Sequence, residues 1–130
     1  LSMVAAIKVL GGSPGRKIAA LGDMLELGET APAAHAELAQ TLQAQQVESV
    51  FCCGPLMKNL WQALPAAMQG SWAPDAKSLA PLVAAAVKAG DTLLVKGSRG
   101  QQVEIKGVMS PSMAVIIAAI EAKESNAHAA

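Results

Sequence analysis

Apolar residues in this chain fall into two spacings that alternate from the N-terminus to about residue 95. Leu1 to Leu10 carries apolar side chains at Val4, Ile7 and Val9 or Leu10, with Ser2 placed to cap, which predicts a short helix that Gly11-Gly12-Ser13-Pro14-Gly15 stops. Lys17 to Met24 is then a continuous apolar run between turn residues, the pattern of a buried strand in a parallel sheet. Thr30 to Gln46 returns to helical spacing, with Pro32 in its first turn and apolar positions at Ala34, Leu38, Ala39 and Leu42.

The alternation repeats. Ser49 to Gly54 predicts a second strand, and Leu56 to Leu64 a helix entered through Pro55. Ser71 to Ala73 predicts a short third strand, followed by a helix capped by Asp75 and ending near Ala89, in which Pro81 either marks the true start or introduces a kink. Thr92 to Val95 is the fourth strand. Gln101 to Lys106 is compatible with the start of a helix or with a small strand, and Met113 to Ala122 reads as an apolar helix. Strands alternating with helices at this spacing predict an α/β fold: Rossmann-like, with a mainly parallel sheet, right-handed crossovers and helices on both faces.

Two strand ends carry chemistry. Leu21-Gly22-Asp23 puts a carboxylate where the first strand stops, and Val95-Lys96-Gly97-Ser98-Arg99 puts two cations and a hydroxyl where the fourth one stops. If those strands are parallel neighbours, the two ends share one rim, the usual ligand crevice of such sheets. Lys96, Ser98 and Arg99 are suited to holding a carboxylate or phosphate, although a solvated turn has the same composition. Asp23 is equally suited to capping a turn or to meeting a ligand. His35 is expected on the polar or intermediate part of its helix, where a lone histidine is usually structural.

Composition narrows the classes. At 130 residues, with 52% hydrophobic and 15% charged residues, the chain is long and apolar enough for one folded domain. That domain is expected over 1–124, with 125–130 as a disordered tail. Ten basic residues balance ten acidic ones without long blocks, so no nucleic-acid partner is expected. Phe51, Trp61 and Trp72 are the only aromatic residues, too few for a base-stacking platform. Cys52 and Cys53 are adjacent in a strand and should point to opposite faces, as buried structural thiols that fit a reducing cytoplasm. Met109 to Ala122 is shorter than the roughly 20 residues a membrane span needs, so no membrane insertion is expected. A chain that begins at Leu1 without a methionine is expected to be a piece of a longer protein.

Familiar catalytic motifs are missing from the sequence. Gly11 to Lys17 fails the GxxxxGK[ST] spacing and precedes a strand, so it reads as a turn. No GxGxxG follows the first strand, and there is no Ser-His-Asp set, CxxC or HExxH. No catalytic residue is expected within the chain.

Leu21-Gly22-Asp23-Met24-Leu25-Glu26-Leu27-Gly28, a helix bearing His35, Leu93-Leu94-Val95-Lys96-Gly97-Ser98-Arg99, and Val103-Glu104 together resemble the Mur ligase family, in its D-alanyl-D-alanine-adding branch. The resemblance runs from Leu1 to about Glu104. It implies the C-terminal domain of a three-domain, ATP-dependent amide ligase of peptidoglycan precursor synthesis. In that family ATP and Mg²⁺ activate a carboxylate of UDP-N-acetylmuramoyl-tripeptide to an acyl phosphate, which the amine of D-alanyl-D-alanine attacks. ATP and Mg²⁺ are then held mainly by the central domain, and the uridine by the N-terminal one. This domain contributes the dipeptide pocket and closure over the nucleotide, and is silent alone. Lys96, Ser98 and Arg99 are expected on the dipeptide carboxylate, with Asp23 or His35 on its amine. The chain departs from the family after Glu104, where Ile105 to Pro111 interrupts a helix that many members continue. The alternatives are a meso-diaminopimelate-adding ligase, a folylpolyglutamate synthetase relative, and a stand-alone α/β binding module.

Overall fold

The computed structural model of the chain describes residues 2–24 and 31–97, together with 104, 105, 119 and 121. The elements are α1 (Met3–Gly11), β1 (Lys17–Gly22), α2 (Ala31–Ala44), β2 (Ser49–Cys53), α3 (Met57–Ala63), a 3₁₀ turn (Ala66–Met68), β3 (Gln69–Ala73), α4 (Ala76–Ala86), β4 (Thr92–Lys96) and β5 (Glu104–Ile105). The strands form one sheet in the order β3-β2-β1-β4-β5. The first four are parallel, and β5 runs antiparallel to β4. Glu104 is therefore in a strand, one of the two alternatives open for that stretch.

Strands β1, β2 and β4 are buried on both faces, so alternate residues feed two cores. Ala19, Leu21, Val50, Cys52 and Leu94 pack with α1, α2 and α3 on one side. Ile18, Ala20, Phe51, Cys53, Leu93 and Val95 pack with Leu79, Ala80 and Val83 of α4 on the other. This division follows from handedness. The chain steps outward from β1 to β2 to β3 with its helices on one face, then turns back to lie beside β1, and a right-handed crossover in the reverse direction puts α4 on the opposite face. Cys52 and Cys53 accordingly point into different cores, as the strand period requires. Burial pushes both thiols up, Cys53 to about 12, so neither is a thiolate nucleophile near neutral pH.

Helix ends differ from expectation in ways that local chemistry explains. Ser2 accepts from the Ala5 amide and caps α1, but the buried stripe is Met3, Ala6, Ile7 and Leu10, leaving Val4 and Val9 outside. In α2 the inner row is Ala31, His35, Leu38, Ala39 and Leu42, so His35 is fully buried and not on the polar side. Pro81 lies inside α4, on its exposed side, and neither starts nor ends it. That helix stops at Ala86 because Asp91 pulls the following turn around: its carboxylate accepts from the Lys88 amide at 2.8 Å.

Asp91 also binds Arg16 in a two-pronged pair, Nε to Oδ1 at 3.1 Å and Nη2 to Oδ2 at 2.7 Å. Arg16 Nη2 donates to the Ala86 carbonyl at 2.8 Å as well, covering the C-terminal end of α4. Thr92 Oγ1 donates to the Pro14 carbonyl, and its amide to that of Arg16. Gly15 adopts φ +78° against the Gly90 carbonyl, which a Cβ would overlap. The glycine-rich segment before β1 is thus a docking turn onto the start of β4.

Asp91 is 5% exposed and Arg16 holds its carboxyl below the usual carboxylate range, while Asp91 raises the guanidinium. A lowered carboxyl contributes stability above its unfolded value of about 4, and that contribution fades as pH falls through the folded value. Asp91→Asn should cost about 1–2 kcal/mol at pH 7, discounted for the part-exposed arginine. Urea melts at pH 7 and pH 2.5 should show the gap to the unaltered chain closing in acid.

Candidate functional site

Strand order reverses between β1 and β4: the helix after β1 packs on one face of the sheet, and α4, which leads into β4, packs on the other. In open α/β sheets ligands bind outside the carboxyl ends of the strands at such a switch point. The register places Leu21 of β1 against Lys96 of β4, so Asp23, two residues past Leu21, lies at the same rim as Lys96. Both share the side-chain parity of Leu21 and Leu94, and hence the face of α1, α2 and α3. The two strand ends singled out in the sequence are therefore brought together. Ser98 and Arg99 lie outside the described residues.

Lys96 closes β4 and is 8% exposed. Among the described residues no carboxylate pairs with it, and the single ion pair there is Arg16 with Asp91 at the opposite rim. Desolvation pushes its amine below the ordinary lysine value. A buried ammonium favours an anionic partner strongly, because leaving water without one is costly.

Asp23 has a structural task that its position in sequence conceals. The residue at the N-cap of α3 is Leu56, which has no side-chain acceptor, so the first amides of that helix need an oxygen from elsewhere. Asp23 supplies it: Oδ1 accepts from the Met57 amide at 2.7 Å and Oδ2 from the Leu56 amide at 3.2 Å. Gly54 makes room, since at φ +102° an added Cβ would overlap the Asp23 carboxylate. Trp72 Nε1 donates to the Gly54 carbonyl at 2.8 Å, and Lys58 Nζ lies 4.9 Å from the centroid of the Trp72 ring. An ionised carboxylate accepts about four hydrogen bonds, and Asp23 accepts two from the described residues.

Both nitrogens of His35 are engaged inside the chain. Nε2 accepts from the Met24 amide at 2.9 Å, and Nδ1 donates to the Ala31 carbonyl at 2.6 Å. It reaches the rim only through the Met24 peptide. The borrowed cap on α3 and the placement of Gly54 were missed at the level of sequence; the one available signal was a helix starting at Pro55-Leu56 with no acceptor residue of its own.

Asp23→Ala removes both acceptor oxygens from α3 and should lower stability by about 1 kcal/mol, within the range of N-cap deletions. Asp23→Asn retains one oxygen and should recover part of it. Gly54→Ala should cost about 1–3 kcal/mol through its positive φ. Chemical denaturation of the three variants measures this order.

Three comparisons with known proteins meet this geometry. The family model described as Mur ligase, glutamate ligase domain, matches residues 1–99. A UDP-N-acetylmuramoyl-tripeptide–D-alanyl-D-alanine ligase of Buchnera aphidicola is 32% identical over 105 residues, 79% of this chain and 22% of that protein. The crystal structure of the MurF ligase from Thermotoga maritima in complex with ADP superposes with a TM-score of 0.62 at 25% identity, covering 96% of this chain and 26% of that one. The chain thus spans about a quarter of the length of the relatives it matches. With three-quarters of its residues matched by that family model and the same fold in a solved relative, the chain belongs to the Mur ligase family, as its glutamate ligase domain.

Proposed function

We propose that this chain is the C-terminal domain of an ATP-dependent ligase that joins D-alanyl-D-alanine to UDP-N-acetylmuramoyl-tripeptide, and that it supplies the dipeptide's pocket. The observation that carries this reading is the buried Lys96 ammonium, without a described carboxylate partner, at the β1–β4 switch point. A dipeptide is a small zwitterion. Its carboxylate would meet Lys96, Ser98 and Arg99, and its amine would meet the Asp23 carboxylate, which can accept more hydrogen bonds than the two it takes from described residues. The ammonium must lose a proton before it attacks, and a carboxylate that accepts its hydrogen bonds holds it in line.

ATP supplies the activation of the tripeptide carboxylate in this reading, bound mainly by the central domain of the longer protein. Among the described residues no group of three or more His, Cys, Asp or Glu side chains is arranged for a metal, and in this reading Mg²⁺ is held with ATP mainly by the central domain. What the domain adds to an acyl phosphate is exclusion of water when the rim closes over it. No described helix is long and apolar enough to cross a membrane. A cytoplasmic location, a role in cell-wall precursor synthesis, and a single domain over 1–124 with a tail after it belong to the same proposal.

The family model's description favours a second reading, in which the incoming amine is glutamate or another amino acid. Steady-state kinetics of the longer protein decide between them. In the first reading, D-alanyl-D-alanine is the preferred amine, and Lys96→Met raises its KM about 10- to 100-fold while the KM for ATP stays within about twofold. An unchanged dipeptide KM would refute the assignment, and preferential use of glutamate would move it to the second reading.

A further inference from the structure

His35 combines complete burial with two hydrogen bonds whose directions leave no freedom of tautomer. The Ala31 carbonyl accepts only, so Nδ1 carries the proton; the Met24 amide donates only, so Nε2 is bare. Neither nitrogen is left for a ligand, and the ring is 0% exposed. What the imidazole does hold is the peptide directly after Asp23. The ladder of β1 ends at Gly22, opposite Cys53, so the half-buried Met24 amide lies beyond the pairing of the sheet. Asp23 is thereby pinned at both ends, its backbone through Met24 to His35 in α2 and its carboxylate to the first amides of α3.

We infer that His35 is a positioning residue for Asp23: by holding the Met24 peptide, it sets where the Asp23 carboxylate meets the incoming amine. This rests on the ligase reading above. A misplacement of the order of an ångström at a group that orients a reactant is enough to weaken productive binding. The effect should appear in the amine substrate and not in ATP.

Two substitutions separate the bonds. In His35→Gln the side-chain oxygen reaches the place of Nε2 and still accepts from Met24, whereas the shorter His35→Asn reaches only Ala31. In the intact protein, hydrogen exchange followed by mass spectrometry over the peptide containing Met24 should accelerate at least tenfold in the Asn variant. Exchange over Val50 to Cys52 and Leu93 to Val95 should stay unchanged. The dipeptide KM should rise about fivefold or more with the ATP KM unmoved, and the Gln variant should restore both readouts. A loosened Met24 amide with a normal dipeptide KM would overturn the inference in favour of a purely structural histidine. Equal loss of kcat in both variants with Met24 still protected would overturn it in favour of direct contact with the reactants. Should the Asn variant not fold, His35→Gln decides alone, since a protected Met24 amide with a raised dipeptide KM contradicts positioning. Failure of the ligase reading is visible separately, as an unaltered dipeptide KM in Lys96→Met.

Discussion

Parallel pairing of β4 with β1, in the register that sets Leu21 against Lys96, is the constraint from which the rest of this domain follows. It reverses the order of the sheet, sends α4 to the opposite face from α2 and α3, and brings the C-terminal ends of β1 and β4 side by side. The same pairing carries Lys96 into partial desolvation beside Leu21. Had the fourth strand added next to β3, all the helices would share one face and Asp23 and Lys96 would be three strands apart.

Strand β1 is bracketed by two opposite charges, and each serves a helix from another part of the chain. Arg16, before the strand, covers the C-terminal carbonyl of α4 with Asp91 as counter-ion; Asp23, after it, receives the first amides of α3. Both match the partial charge of the helix end they meet, positive at N-termini and negative at C-termini. The central strand thereby fastens α4 on one face and α3 on the other by its two ends, at opposite rims. The two rims differ in how their charges are compensated. Among the described residues, the Arg16 end pairs its cation with a carboxylate, whereas the Asp23 end lies beside a buried cation that no described acid neutralises. An incompletely compensated rim is where a ligand gains most from binding.

Two of the described glycines carry contacts between distant segments. Gly15 and Gly54 each hold a positive φ where another backbone or carboxylate presses against the place a side chain would occupy. One lets the chain dock onto the start of β4, the other lets Asp23 approach α3. Both are contacts between segments distant in sequence, which is why a count of glycines before β1 suggested a phosphate loop only superficially.

Sequence alone determined the alternation of strands and helices, the four parallel strands to within two residues at each end, the opposite facing of Cys52 and Cys53, and the two charged strand ends. These are periodicities and breakers, written locally because burial on one or two faces dictates spacing. Tertiary structure alone decided the rest. Nothing near Asp23 says that it caps a helix 34 residues later, because the need arises at Leu56 and the supply at β1. Nothing near Arg16 points to Asp91, 75 residues away. His35 occupies an inner position that its polarity argued against, since two hydrogen bonds to backbone groups of Met24 and Ala31 satisfy it there and remove the cost of burial. Whether Asp23 and Lys96 share a rim depended on which strand β4 chose as its neighbour, and that choice is made by packing across the whole sheet and not by the residues of either end.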